Sequence, residues 1–138
     1  MLTGISYSFA NKADDSINKR AVASFNREFN GATDVKWEGK NGFVIATFSM
    51  NNEVAFAYYT TDGEMIALVR NILSDKLPIL KLLSLKKDYS HYWISNLIEI
   101  SKTEGVSYYA TVENADEKIT LKSAEAGNWE VYSKEEKE

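Results

Sequence analysis

The chain has 138 residues, of which 44% are hydrophobic and 12% aromatic, with one Pro and no Cys. That is enough apolar material for one domain, or for one domain made of two similar halves, and it excludes collagen-like and disordered chains, a disulfide framework, thiolate chemistry and Cys-based zinc sites. The formal net charge of −4 argues against non-specific nucleic-acid binding, which needs cationic surface to displace counterions from phosphate, and gives the chain as a whole no attraction to anionic lipid.

No apolar run approaches the roughly 20 residues that span a bilayer, so the chain is not expected to be membrane-spanning. The opening "MLTGISYSFA" has apolar Leu2, Ile5 and Phe9, with small residues at Ser8 and Ala10 ahead of Asn11. Residues 1–12 therefore read as the end of a secretory signal peptide or as a frayed N-terminus. Ile17, Ala21, Phe25 and Phe29 recur every fourth residue and predict a helix over Asp14–Asn30. Asp14, Asp15 and Ser16 are its N-cap candidates, and Asn30-Gly31 its stop.

Four strands are then expected: Thr33–Glu38, Phe43–Met50, Glu53–Thr60 and Glu64–Arg70, separated by the turn sequences Gly39–Gly42, Asn51-Asn52 and Asp62-Gly63. Such short turns imply an antiparallel meander. The connection "NILSDKLP" leads to a second helix with Pro78 near its start. In it Leu77, Leu80 and Ser84 share a stripe, while Lys81, Lys86 and Lys87 keep one side wet. Strands are expected again at Trp93–Ser101, Gly105–Glu113, Glu117–Ser123 and Asn128–Ser133, before a charged tail at residues 135–138.

The order helix, four strands, helix, four strands suggests an internal repeat. Gly42 and Gly105 lie 63 residues apart, Gly63 and Gly127 lie 64 apart, and Phe29 and Tyr89 lie 60 apart. The expected fold is α+β: two tandem units (about 13–72 and 73–134), each a helix packed on one face of a four-stranded antiparallel meander.

The segment from Ala21 to Ala67 resembles the beta-lactamase-inhibitor-like, PepSY-like domain family of Bacteroidetes. The resemblance is carried by Phe25, Phe29, Gly31-Ala32, Val35, Lys36-Trp37, Tyr58-Tyr59 and Asp62-Gly63-Glu64. The second half follows more loosely, through Leu77-Pro78, Tyr89, Ile98, Tyr108-Tyr109 and Trp129. It implies a sheet of antiparallel strands with helices on one side, and export to the periplasm or beyond. The quoted motifs are core aromatics and turn residues, so the resemblance transfers no activity.

A search for reactive groups returns little. His91 is the only histidine and reads as a loop residue, since a His metal site needs several ligands. The many acidic residues sit at expected caps and turns, and "ENADEK" at Glu113–Lys118 lacks the spacing of a calcium loop. Neither a phosphate-binding glycine loop nor a nucleophile elbow is present. No cofactor, metal or catalytic residue is assigned, and the chain is read as a non-enzyme.

Aromatic residues are the remaining signal. Adjacent strand residues point to opposite faces, so one of each pair Tyr58/Tyr59 and Tyr108/Tyr109 must leave the helix-covered face. Parity alone does not say which. Tyr58, Tyr59, Trp93, Tyr108 and Tyr109 are thus candidate partner-binding residues for a protein or peptide of the cell envelope. They are also ordinary material for cross-strand pairs. The alternative function is a small-molecule or lipid carrier with a cavity between helices and sheet.

Overall fold

The computed structural model describes residues 15–138; the expected signal remnant at 1–12 and the cap candidate Asp14 lie outside them. The elements are α1 (Asp15–Glu28), β1 (Thr33–Lys40), β2 (Phe43–Met50), β3 (Glu53–Tyr59), β4 (Met65–Asn71), a single 3-10 turn at Ser74–Lys76, α2 (Ile79–Asp88), β5 (Trp93–Lys102), β6 (Gly105–Glu113), β7 (Glu117–Ala124) and β8 (Glu130–Glu136). The turn chemistry acts as expected at Asn41-Gly42 and Asn51-Asn52, which take up left-handed backbone between paired strands. Strand β8 runs to Glu136, two residues into the expected charged tail, and the Lys137 amide donates to the Asp116 carbonyl at 2.8 Å.

The expectation of tandem units, each a helix packed on its own four-stranded meander, is corrected. Among the described residues the strands form one eight-stranded antiparallel sheet in the order β1 to β8, with only two short helices of 14 and 10 residues. An unpaired outer strand exposes a row of backbone donors and acceptors. The Ile72 N–H, one residue past β4, instead donates to the Leu97 carbonyl of β5 at 3.0 Å.

The described residues divide into two compact units, one running to Arg70 and the other from Asn71 to Glu138. In the first, Ala21 and Phe25 of α1 bury against Val35, Trp37, Val44, Ala46, Phe48, Ala55, Ala57 and Tyr59. Phe25 meets Trp37 and Phe48 edge-on, at centroid distances of 5.4 and 4.9 Å. Such pairs add about 0.5–1.5 kcal/mol each beyond area burial. Asp34 has φ 55° at a register shift between Thr33 and Lys36, a bulge in β1 ahead of Val35 and Trp37. Trp37 is a core residue whose indole N–H has no partner among the described residues.

In the second unit, Leu77, Leu85, Leu97, Tyr108, Ala110, Val112, Ile119 and Leu121 form the core, with Ile72. The inward residues of α2 are Lys81 and Leu85. This corrects two expectations: Lys81 is buried rather than wet, and Leu80 is 78% exposed rather than part of an inward stripe.

Candidate partner-binding face

Strand alternation fixes which side chains leave the second unit's core. The row Leu97–Ala110–Leu121 is buried, so the neighbouring row Ile98–Tyr109–Lys122 faces the other way. On that opposite face Tyr109 meets Tyr132 of β8 edge-on at 5.3 Å. The Lys122 ammonium sits 5.6 Å from the Tyr109 ring centroid. Tyr132 is 64% exposed. Two rigid rings thus stand on a strand scaffold with a cation over one of them, an arrangement worth about 0.5–1 kcal/mol at exposed sites.

Trp93 begins β5 at the end of the same sheet and is 54% exposed. Lys137 lies 4.8 Å from its ring centroid, pairs with Glu113 at 2.9 Å, and donates to the Asn114 carbonyl at 2.8 Å. Hydrogen bonding from Ser95, then from Lys137, holds the Glu113 carboxyl below its ordinary pKa. Nearby, Tyr92 donates to Glu117, whose carboxylate also pairs with Lys134 at 3.2 Å. That hydrogen bond raises the Tyr92 phenol above its ordinary value and lowers Glu117 below its own. Asn114 accepts the amides of Asp116 and Glu117, each at 2.9 Å, which explains "ENADEK" as a side-chain-capped turn. His91 is exposed in the turn after α2.

The five candidates from the sequence separate. Trp93 is exposed and Tyr109 half-buried, both in the second unit. Tyr58 is half-buried in the first unit, cross-strand from Ile45 and Ala67, on the face away from Tyr59. Tyr59 and Tyr108 are buried, with a parity that matches Ala57 and Ala110 in the two cores. Tyr59 also donates to Glu28 at 3.5 Å, and burial followed by the Glu28 charge pushes its phenol well above the ordinary value. Tyr132, a strand aromatic, and Ile98 and Lys122 are not among the five candidates. Their signal is the β5–β8 register, which turn sequences alone do not fix.

The second unit also carries two clefts. One of about 660 Å³ is bordered by Ile72, Leu73, Leu85, Lys86, Tyr89, Tyr92 and Ile94, among others. The other, of about 460 Å³, lies beside α2 and is bordered by Pro78, Leu80, Lys81, Ser84, Glu125 and Trp129. At its base the Lys81 ammonium donates to Ser123 Oγ (2.6 Å), the Gly127 carbonyl (2.7 Å) and the Ala124 carbonyl (2.9 Å). Among the described residues, no group of three or more His, Asp or Glu is arranged to hold a metal, and no helix is long and apolar enough to cross a membrane.

No family model matches the sequence, and no curated protein matches it. Solved structures do. A BLIP-like protein from Bacteroides fragilis superposes with a TM-score of 0.71 at 15% identity, covering 86% of this chain and 84% of that one. A candidate periplasmic protein from Bacteroides eggerthii gives 0.74 at 16% identity, covering 88% and 87%. A DUF2874 family protein from Bacteroides ovatus gives 0.73 at 16%, covering 85% of each chain. At such identity the likeness establishes the fold. It agrees with the resemblance to a beta-lactamase-inhibitor-like family of Bacteroidetes.

Proposed function

We propose that this protein is a non-enzymatic binding module of the bacterial envelope, and that the open sheet face of its second unit holds a protein partner. The observation that carries the reading is the Tyr109–Tyr132 pair, edge-on at 5.3 Å on the face away from the core, with Tyr132 largely exposed. Tyrosines on paired strands offer large contact area with little conformational entropy left to lose, the property that makes them interface anchors. Trp93, flanked by Lys137 and Glu113, supplies a third ring with a polar surround. The BLIP-like and candidate periplasmic neighbours support the class of function and the compartment. Tyr58 is a subsidiary contact on the first unit.

The test is a double substitution, Tyr109→Ala with Tyr132→Ala, assayed against the partner recovered by site-specific crosslinking from position 132. Loss of about tenfold or more in affinity with an unchanged melting temperature supports the reading. Full affinity in the double variant rejects it.

The cleft of about 660 Å³ favours a second reading, a small-molecule carrier, because its volume falls in the range of ligand sites. Saturable binding of an apolar fluorophore, abolished by Leu73→Trp, would move the weight to that reading.

A further inference from the structure

The outward face of α2 has a composition that a solvated helix does not need. Lys81 and Leu85 point into the unit. At 100° per residue, the arc opposite them holds Ile79, Leu80, Leu83, Lys86 and Lys87. All five are exposed, Leu80 to 78%. No acidic residue of α2 falls on that arc; Asp88, the last residue of the helix, falls on the side of Lys81 and Leu85. Leu73, 72% exposed, borders the same cleft as Lys86. The same chain supplies its own comparison. Helix α1 buries Ala21 and Phe25, and its opposite arc is Lys19, Arg20, Ala23, Asn26 and Arg27, an ordinary wet surface.

We infer that the outer face of α2 is a docking site for an anionic lipid surface, with Ile79, Leu80 and Leu83 entering the headgroup boundary and Lys86 and Lys87 on lipid phosphates. Three observations favour lipid over other occupants. The apolar residues are aliphatic and project from a convex helix, whereas protein hot spots favour Trp, Tyr and Arg in pockets. The only charges on the arc are cations, which complement anionic headgroups, each worth a several-fold gain in partitioning near the surface. A second copy of the chain fits poorly, because its arc, like this one, carries no acidic residue to pair with Lys86 and Lys87.

The overall charge of −4 makes such docking local and oriented. The rest of the molecule is repelled by the surface that α2 seeks. Interfacial helices of this kind sink about 5–10 Å, and their lysines reach back to the headgroups. Within the second unit the Tyr109–Tyr132 face lies on the side of the sheet away from the core that α2 covers. Docking through α2 therefore leaves that face clear. The inference does not depend on the protein-partner reading.

The experiment is flotation of the full chain with phosphatidylcholine vesicles and with vesicles containing about one third phosphatidylglycerol, at low and high salt. Three variants accompany the wild type: Leu80→Ser with Leu83→Ser, Lys86→Glu with Lys87→Glu, and Lys19→Glu with Arg27→Glu on α1. Far-UV circular dichroism confirms that each is folded. The wild type should float with anionic vesicles only, and less at high salt. Both α2 variants should partition at least about tenfold more weakly, and the α1 variant should behave as wild type. Failure of the wild type to float would overturn the inference, as would equal loss in the α1 variant. So would sedimentation showing a dimer that Leu80→Ser with Leu83→Ser dissociates while vesicle binding is absent.

Discussion

Replacing Lys81 by Met keeps an unbranched apolar stem and removes the ammonium. Lys81 is 8% exposed and donates to Ser123 Oγ and to the Ala124 and Gly127 carbonyls, at 2.6 to 2.9 Å. It thereby ties α2 to the β7–β8 turn. In the first unit the equivalent tie is direct: Ser24 Oγ donates to the Gly63 carbonyl at 3.0 Å, and the turn touches the backbone of Arg20 and Ala21. Hydrogen bonds from a charged donor contribute about 1.5–3 kcal/mol each before desolvation of the ammonium is deducted. Two features soften the loss in the variant. Ser123 Oγ already lies 2.9 Å from the Ala124 carbonyl and 3.0 Å from that of Gly127, so it can serve one of them. Ala124 and Gly127 are themselves exposed residues, so water can reach the turn. A net destabilisation of about 1–3 kcal/mol follows. For a chain of this size that corresponds to a fall of about 3–12 °C in melting temperature. Calorimetry gives the global figure. Hydrogen exchange at the Gly127 amide, which donates to Ala124 at 3.0 Å, gives the local one and should accelerate. A variant that melts within about 1 °C of wild type, with Gly127 exchange unchanged, would refute the argument that the ammonium holds the turn.

Further predictions address the first unit and pH. Gly63→Ala should cost about 2–4 kcal/mol by denaturant unfolding, because φ is +89° and a Cβ would meet Arg20 Cβ at 2.7 Å and its carbonyl carbon at 2.9 Å. Trp37→Phe should lie within about 1 kcal/mol of wild type, since it removes an unpartnered indole N–H while keeping a ring beside Phe25 and Tyr59; Trp37→Ala should cost about 3–5 kcal/mol. The Tyr59 phenol is raised in the folded state above its ordinary 10.0, so the unfolded chain loses that proton first. Its contribution to stability is complete below pH 10 and declines as pH rises toward the folded value. Tyr59→Phe should therefore flatten the alkaline fall in stability, and a variant with the same alkaline slope as wild type would contradict the assignment.

Local geometry was legible in the sequence wherever one residue type dictates it. Asn41-Gly42 and Asn51-Asn52 tolerate left-handed backbone, and their turns form where expected. The four-residue spacing of Ala21, Phe25 and Phe29 identified the buried stripe of α1. What sequence spacing did not carry was assembly. Turn sequences fix neighbours within a meander but not whether the strands before and after the Pro78 connection share a sheet, which is given only by the strand order β1 to β8. The tyrosine pairs show the same limit. Alternation requires Tyr58 and Tyr59 to part, but which one is buried depends on Trp37 and Val44 lying across the sheet from Tyr59. Lys81 misled because lysine is a surface residue by default. The available signal was positional: counting back 60 residues, the spacing that relates Tyr89 to Phe29, lands on the buried Ala21. Tyr132 was visible as an aromatic, yet its pairing with Tyr109 depends on how β8 aligns with β7.

Photo-crosslinking from position 132, with position 23 on the outer face of α1 as the control, tests the central claim most directly. In cells making the full chain, a crosslinker at 132 should capture one discrete protein, the control should not, and Tyr109→Ala should abolish the capture while leaving the fold intact. Equal capture from both positions, or capture from 132 indifferent to Tyr109→Ala, would contradict the assignment of this face to a partner.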